Sequence, residues 1–266
     1  MGIVPWSTLM LERQEAKLER LRSRLASLSG VAVTSQTALE QPAAAVVRAS
    51  GVAELVVIGS GRLGRLSVEV LGATTHQVVS HARCPVLVVP EGVDLPRYGS
   101  VVVGVDAEVH SAPAVEVAFA EASRRRVPLV AVHAWWLEHP GPFEDPHEWG
   151  SGEHPAAESE RLAISEMLVG WSEKYPDVEL STWIRRGEPV PVLRAASRAA
   201  QLLVLGTRGR GGFAGLLLGG VSSRLLHHSP CPVLVVPSLP RPVLPTGDGN
   251  AWPDSPGEPH PSVTDP

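Results

Sequence analysis

Apolar positions in this chain fall into short, dense runs separated by stretches of helical spacing. The runs are Glu54–Ile58, Pro85–Val89, Ser100–Val105, Leu129–His133, Leu202–Leu205 and Pro232–Val236. Each is apolar at successive positions, which predicts strands buried on both faces of a sheet. Val31–Leu39 and Val178–Arg185 carry β-branched residues and are also read as strands. Between them lie helical stretches. Over 7–29, Leu11, Leu18, Leu21, Leu25 and Leu28 recur at helical spacing, and Gly30 supplies a stop. Further helices are predicted at Pro42–Ala49, Ser67–Ser80, Ser111–Arg125, Glu158–Lys174, Pro189–Ala200 and Ser222–His228. Residues 137–157 are rich in Pro, Gly and acids and are expected to be a flexible loop. Strands alternating with helices predict a parallel sheet covered on both faces.

The pattern repeats. Cys84–Pro90 reads CPVLVVP, and so does Cys231–Pro237, 147 residues later. The same shift runs without a gap from Val31 to Pro90, with 19 identities in 60 pairs. A repeat of this length means two copies of one folding unit. The copies are unequal: the second has five predicted strands, the first only counterparts of the last three. Residues 1–92 therefore read as an incomplete first domain and 93–99 as a linker. Residues 100–238 read as a complete second domain, and 239–266, with 8 prolines in 28 residues, as a disordered tail. The residues leave open whether the first unit is naturally short or its start is misplaced.

Composition narrows the function classes. At 266 residues and 44% apolar content there is material for two cores. A net charge of −5 argues against a nucleic-acid surface. No apolar run reaches the roughly 18 residues of a membrane span, and Met1 to Lys17 becomes charged too early for a secretory signal. The two cysteines occupy equivalent repeat positions, so a disulfide framework is not expected and a cytoplasmic setting follows.

The chemistry concentrates in Gly206-Thr207-Arg208-Gly209-Arg210-Gly211-Gly212, followed by Gly219-Gly220-Val221-Ser222-Ser223. This stretch joins a strand to a helix. Glycines let backbone N–H groups approach an anion, and a helix N-terminus favours negative charge. A glycine-rich turn without a ligand fits the same text, since glycine patterns alone are weak evidence. Asp106 ends the strand Ser100–Val105, at the strand end where open α/β sheets bind ligands. A turn or helix cap is the competing role for it. His133 reads as a packed strand residue. His139, His147 and His154 are too irregularly spaced for a metal site, and no metal ligand is assigned.

On these residues the chain resembles the universal stress protein family. Gly206, Gly209 and Gly219 have the spacing of its nucleotide signature, Gly-x2-Gly-x9-Gly-Ser/Thr, and HHSPCPVLVVP closes the repeat in the family manner. The resemblance implies Rossmann-like, doubly wound parallel sheets of strand order 3-2-1-4-5, the first incomplete. It implies an adenine nucleotide as ligand: ATP with Mg, with AMP and cyclic AMP as the other candidates. Asp106 would meet the ribose or metal region, and the backbone of Ala134 the adenine. Gly206, Arg208, Gly209 and Gly219 would hold the phosphates with Gly220, Val221 and Ser222 at the helix start.

Two departures from the family pattern bear on the phosphates. Gly220 replaces the usual Ser/Thr, with Ser222 the nearest hydroxyl, and Asp106-Ala107-Glu108 replaces Asp-Gly-Ser. In the first copy Arg62 takes the second glycine position, so that half is expected to bind no nucleotide. With no positioned base or arginine finger, any ATP hydrolysis is expected to be slow. The function read from this is ligand-coupled regulation in a stress response by a homodimer. The alternative is an interaction module that dimerises through its terminal sheet-edge strands; the resemblance implies that the last strands of the two domains pair antiparallel, an edge that would hold the two repeats together and leave a further surface for a homodimer.

Overall fold

The computed structural model describes residues 16–25, 27, 31–61, 71–92, 99–106, 111–135, 155–207 and 218–238. They belong to two units divided between Gln41 and Pro42.

The first unit contains a helix, α1, at 16–25. Glu19 and Arg22, one turn apart, form an exposed ion pair at 3.1 Å. Residues 32–38 form no strand, contrary to the expectation for Val31–Leu39. The reason is lateral. A strand exists through hydrogen bonds to a neighbour, and the neighbour that serves the equivalent segment of the second copy has no counterpart in the first.

The second unit runs in the order α2 (Pro42–Ala49), β1 (Val56–Gly59), α3 (Ala73–His81), β2 (Val86–Val89), β3 (Val101–Gly104), α4 (Ala112–Arg125) and β4 (Leu129–Trp135). It continues with α5 (Pro155–Lys174), β5 (Leu180–Arg186), α6 (Pro189–Ala196), a 3-10 turn (Ser197–Ala199), β6 (Leu202–Gly206), α7 (Gly220–His228) and β7 (Val233–Val236). Helix α5 takes in residues 155–157, which the composition assigned to a loop. The rest of that segment, the tail and most of the linker lie outside the described residues.

All seven strands form one sheet of order β1-β2-β7-β6-β3-β4-β5. The second copy supplies β7-β6-β3-β4-β5, all parallel, which is the expected 3-2-1-4-5 order. The first copy supplies the parallel pair β1-β2. The halves are joined where β2 and β7 pair antiparallel, with Val86 opposite Val235, Leu87 opposite Leu234 and Val88 opposite Val233. Under the 147-residue shift Leu87 and Leu234 are the same position, so an approximate two-fold axis passes between them. The two CPVLVVP segments therefore lie side by side within the sheet and hold the two repeats together.

Two apolar layers sandwich the sheet. On one face α2, α3, α6 and α7 bury Val78, Leu193 and Leu225 against Val86, Val88, Leu203, Val233 and Val235, in one core shared by both halves. On the other face α4 and α5 bury Phe119, Ile164 and Leu168 against Val101, Val103, Val204 and Leu234. Small residues let α4 approach closely: Ala114, Ala118 and Ala122 are all buried on it. This second layer stops at β7 and β2, because the first half has no counterpart of α4. Leu87 is only partly covered and Val57 is exposed. Among the described residues, no helix is long and apolar enough to cross a membrane.

Two tests follow from the packing. A Cβ on Gly99 would lie 2.2 Å from the Ala199 carbonyl oxygen, where the start of β3 abuts the 3-10 turn. Gly99→Ala should cost about 1–3 kcal/mol of stability, read as a lower melting temperature. Burial raises the Cys231 thiol from 9.0 to about 11, only partly offset by hydrogen bonds from Ser229 and the Leu203 backbone. The unfolded thiol ionises first, so the native state should lose stability as pH rises from about 8.5 towards 11 and be unaffected below that window. Cys231 should resist thiol-exchange reagents at pH 8 until the chain is denatured.

Candidate functional site

The carboxyl ends of β3, β4 and β6 meet at one level. Gly104 lies opposite Val132 and Val103 opposite Val204. Continuing each register brings Asp106 beside Ala134 on one side and beside Thr207 on the other. The chain leaves β3 for α4 on one face of the sheet and β6 for α7 on the other. Neighbouring strands whose connections diverge in this way leave a crevice at their carboxyl ends, where open α/β sheets bind ligands. The topology thus gathers Asp106, Ala134 and Gly206, which are distant in sequence.

Asp106 is held from behind. Its N–H donates to Ser111 Oγ at 2.9 Å, and the Ser111 hydroxyl donates back to Asp106 Oδ1. Ser111 is buried and sits at the start of α4. The reciprocal pair closes the β3–α4 turn and orients the carboxylate. Asp106 therefore does fill the turn-closing role while standing at the strand end.

His133 lies one layer below. It is buried, and its Nδ1 is 2.8 Å from the Val105 carbonyl oxygen. A carbonyl only accepts, so Nδ1 carries the proton. Nε2 then faces Glu160 Oε2 of α5 at 3.2 Å, within ion-pair distance but off the line of a hydrogen bond. His133 is a packed strand residue, as expected, and it ties β3 and α5 to β4.

At the glycine loop, Gly206 ends β6 and Gly219 precedes α7. The loop is pinned at its mouth: Gly219 N–H donates to the Thr207 carbonyl at 2.7 Å. Ser223 N–H is the first in α7 to find a carbonyl of its own helix, Gly219 O. The N–H groups of Gly220, Val221 and Ser222 have no intrahelical acceptor, which is the general state of a helix start. The Ser222 hydroxyl donates to Gly206 O at 2.7 Å and is buried. Its proton is committed to the loop–helix joint, so it does not replace the hydroxyl missing at Gly220. Arg208 and Gly209 lie outside the described residues, as does Glu108.

The first half builds the same joint at the opposite end of the sheet, because β2 and β7 run antiparallel. Gly72 N–H donates to Ser60 O at 3.0 Å, and Thr75 Oγ1 donates to Gly59 O at 2.9 Å. Gly61 adopts a left-handed φ of 69° and packs against Gly72, whose Cβ would meet the Gly61 carbonyl oxygen at 3.0 Å. Among the described residues no strand stands where β3 and β4 would deliver counterparts of Asp106 and Ala134.

Sequence reasoning missed Ser111, Glu160 and the link between Thr207 Oγ1 and Ser238 Oγ at 3.1 Å. Ser111 was accessible, as a small hydroxyl residue before a helix with an early proline. Glu160 was not, since nothing local aligns it with His133. Among the described residues no group of three or more His, Cys, Asp or Glu could hold a metal ion.

Comparison with known proteins agrees with this architecture. The sequence model described as "Universal stress protein family" matches residues 3–90 and again 97–237. Universal stress protein Rv2005c of Mycobacterium tuberculosis is 38% identical over 212 residues, covering 77% of this chain and 69% of that protein. A universal stress protein of Mycolicibacterium smegmatis is 38% identical over 215 residues, 80% of this chain and 71% of the relative. Among solved structures, a universal stress protein from Archaeoglobus fulgidus shares the fold, with a TM-score of 0.64 at 21% identity over 89% of this chain and 80% of the other. The two matched segments and the 38% identity to these relatives establish that the chain belongs to the universal stress protein family.

Proposed function

We propose that the second half binds an adenine nucleotide, ATP with a divalent ion such as Mg, at the carboxyl ends of β3, β4 and β6. One observation carries the reading. The carboxylate of Asp106, the backbone at Ala134 and the glycine-bordered start of α7 converge on a single crevice. Each part suits one part of a nucleotide. Backbone N–H groups of Gly220, Val221 and Ser222 at a helix start suit phosphate, and Gly206, Arg208, Gly209 and Gly219 of the glycine motif are proposed to hold it with them. The Asp106 carboxylate suits a ribose hydroxyl or a phosphate-bound cation. Ala134 offers a strand-end backbone to the base. Membership of the family supports a role in a stress response, with nucleotide binding coupled to regulation. Two buried thiols without a disulfide suit a reducing, cytoplasmic setting.

The second reading, an interaction module without nucleotide, draws on the hydroxyl absent at Gly220 and the committed proton of Ser222. The terminal strands that this reading expected to pair do pair antiparallel, inside one chain, where they hold the two repeats together; a dimer would use a further surface.

Calorimetric titration of the full chain with Mg-ATP separates the two. Saturation near one site per chain is expected, since the first half lacks the strands that would carry an Asp106 and an Ala134. Asp106→Ala should weaken binding at least about tenfold and Gly209→Glu should abolish it. No binding at millimolar ATP by a folded protein would favour the interaction module. Ser111→Ala, which frees the Asp106 carboxylate from its lock, should weaken binding by a smaller factor of about three to ten. Equal affinity in Ser111→Ala and the parent would mean that the lock serves folding alone.

A further inference from the structure

Strand β4 is paired further along one edge than along the other. Towards β5 its register runs to Trp135 opposite Arg186, and Gly187 N–H closes it on the Trp135 carbonyl at 3.1 Å. Towards β3 it stops at Gly104 opposite Val132. On that seam Val101 N–H donates to the Pro128 carbonyl and Val105 N–H to the Val132 carbonyl. Bonds between parallel strands are evenly spaced, so the next rung would run from Ala134 N–H to the Val105 carbonyl. Among the described residues that rung is not made.

A side chain has taken its acceptor. The Val105 carbonyl receives His133 Nδ1–H at 2.8 Å. The same peptide unit presents its other end, the N–H of Asp106, to Ser111 Oγ at 2.9 Å. The last peptide of β3 is thus held at both ends by side chains, one from β4 and one from the start of α4, and not by the ladder. The imidazole is itself confined. His133 is buried, and Glu160 of α5 stands 3.2 Å from its Nε2. A buried carbonyl needs a donor, and a buried N–H needs an acceptor. The ring satisfies the carbonyl and leaves Ala134 N–H unclaimed, on the edge of β4 that borders the crevice. Ala134 is half-buried there.

We infer that His133 is the positioning residue for base recognition: by occupying the Val105 carbonyl it withholds the last rung of the sheet and keeps Ala134 N–H open for a ring nitrogen of adenine. The inference rests on the nucleotide reading given above. A backbone N–H complements N1 of adenine, which carries a lone pair. At N1 of hypoxanthine it meets a second N–H, and two donors face to face leave both unsatisfied. The arrangement therefore selects ATP over ITP. These two nucleotides share ribose and phosphates, so contacts at Asp106 and the glycine motif cancel in the comparison.

Two measurements on the full chain test this. The first needs no nucleotide. Amide exchange followed by NMR should show Ala134 N–H exchanging faster than Val132 N–H, one rung below it on the same edge. In His133→Phe the vacated carbonyl should capture Ala134 N–H and slow its exchange at least about tenfold. The second is calorimetry with ATP and ITP, each with Mg. The parent should prefer ATP at least about tenfold, and His133→Phe should bring the two within about twofold of each other. His133→Asn, whose amide N–H can stand where Nδ1 stands, should keep both the fast exchange and the preference. His133→Gln, one methylene longer, should lose both, and it serves in place of His133→Phe if that variant does not fold. A histidine that only supports the fold would weaken ATP and ITP alike and leave their ratio unchanged. Slow exchange of Ala134 N–H in the parent, or an ATP preference retained without the Nδ1 donor, would overturn the inference and leave nucleotide binding standing. A folded parent that binds neither nucleotide would remove the nucleotide reading and this role with it.

Discussion

Three residue pairs, Val86–Val235, Leu87–Leu234 and Val88–Val233, carry the joint on which the second unit depends. Strands β1 and β2 alone would be a two-stranded ribbon, which is marginal in water. Pairing with β7 turns the ribbon into the end of a seven-stranded sheet. It also places Val78 and Val79 of α3 in the same apolar layer as Leu225 and Leu226 of α7. A further tie crosses the halves, the Leu71 N–H to His227 Nδ1 bond at 2.9 Å. The nearly symmetric register follows from repetition: when two copies of CPVLVVP pair antiparallel, matching positions meet at the centre.

That antiparallel joint also decides where chemistry can occur. It sends the two strand–helix joints, at Gly206 and Gly219 and at Gly59 and Gly72, to opposite ends of the sheet. Each end depends on its own neighbouring strands. The second half has β3 and β4 to bring Asp106 and Ala134 level with Gly206. Among the described residues the first half has β2 on one side of its joint and no strand on the other. The joints themselves are alike, since Ser222 and Thr75 both donate to the glycine carbonyl that ends the preceding strand. A bond made in both halves, one of them without the rest of the site, belongs to the folding of the loop–helix corner.

The incomplete half shows how far secondary structure depends on neighbours. Residues 32–38 have strand composition and sequence kinship to β5, yet no ladder. Helix α1 forms because its hydrogen bonds are internal, but its leucines stay exposed. Local bonding suffices for a helix, whereas a strand needs another strand.

The sequence by itself determined the alternation of elements, the repeat and the 3-2-1-4-5 order through family resemblance. Helix Pro42–Ala49 matched its predicted bounds, and strands fell within about two residues of theirs, because apolar runs and Pro or Gly breaks are local signals. Asp106 and the glycine loop were legible for the same reason, each lying where a dense apolar run stops. Only the tertiary structure decided which runs found partners. It fixed the register of β2 on β7, denied Val31–Leu39 a neighbour, aimed Ser222 at a backbone carbonyl and set Glu160 against His133. Those outcomes turn on contacts between residues far apart in the chain, and the direction of a side chain follows from what surrounds it after the sheet has formed.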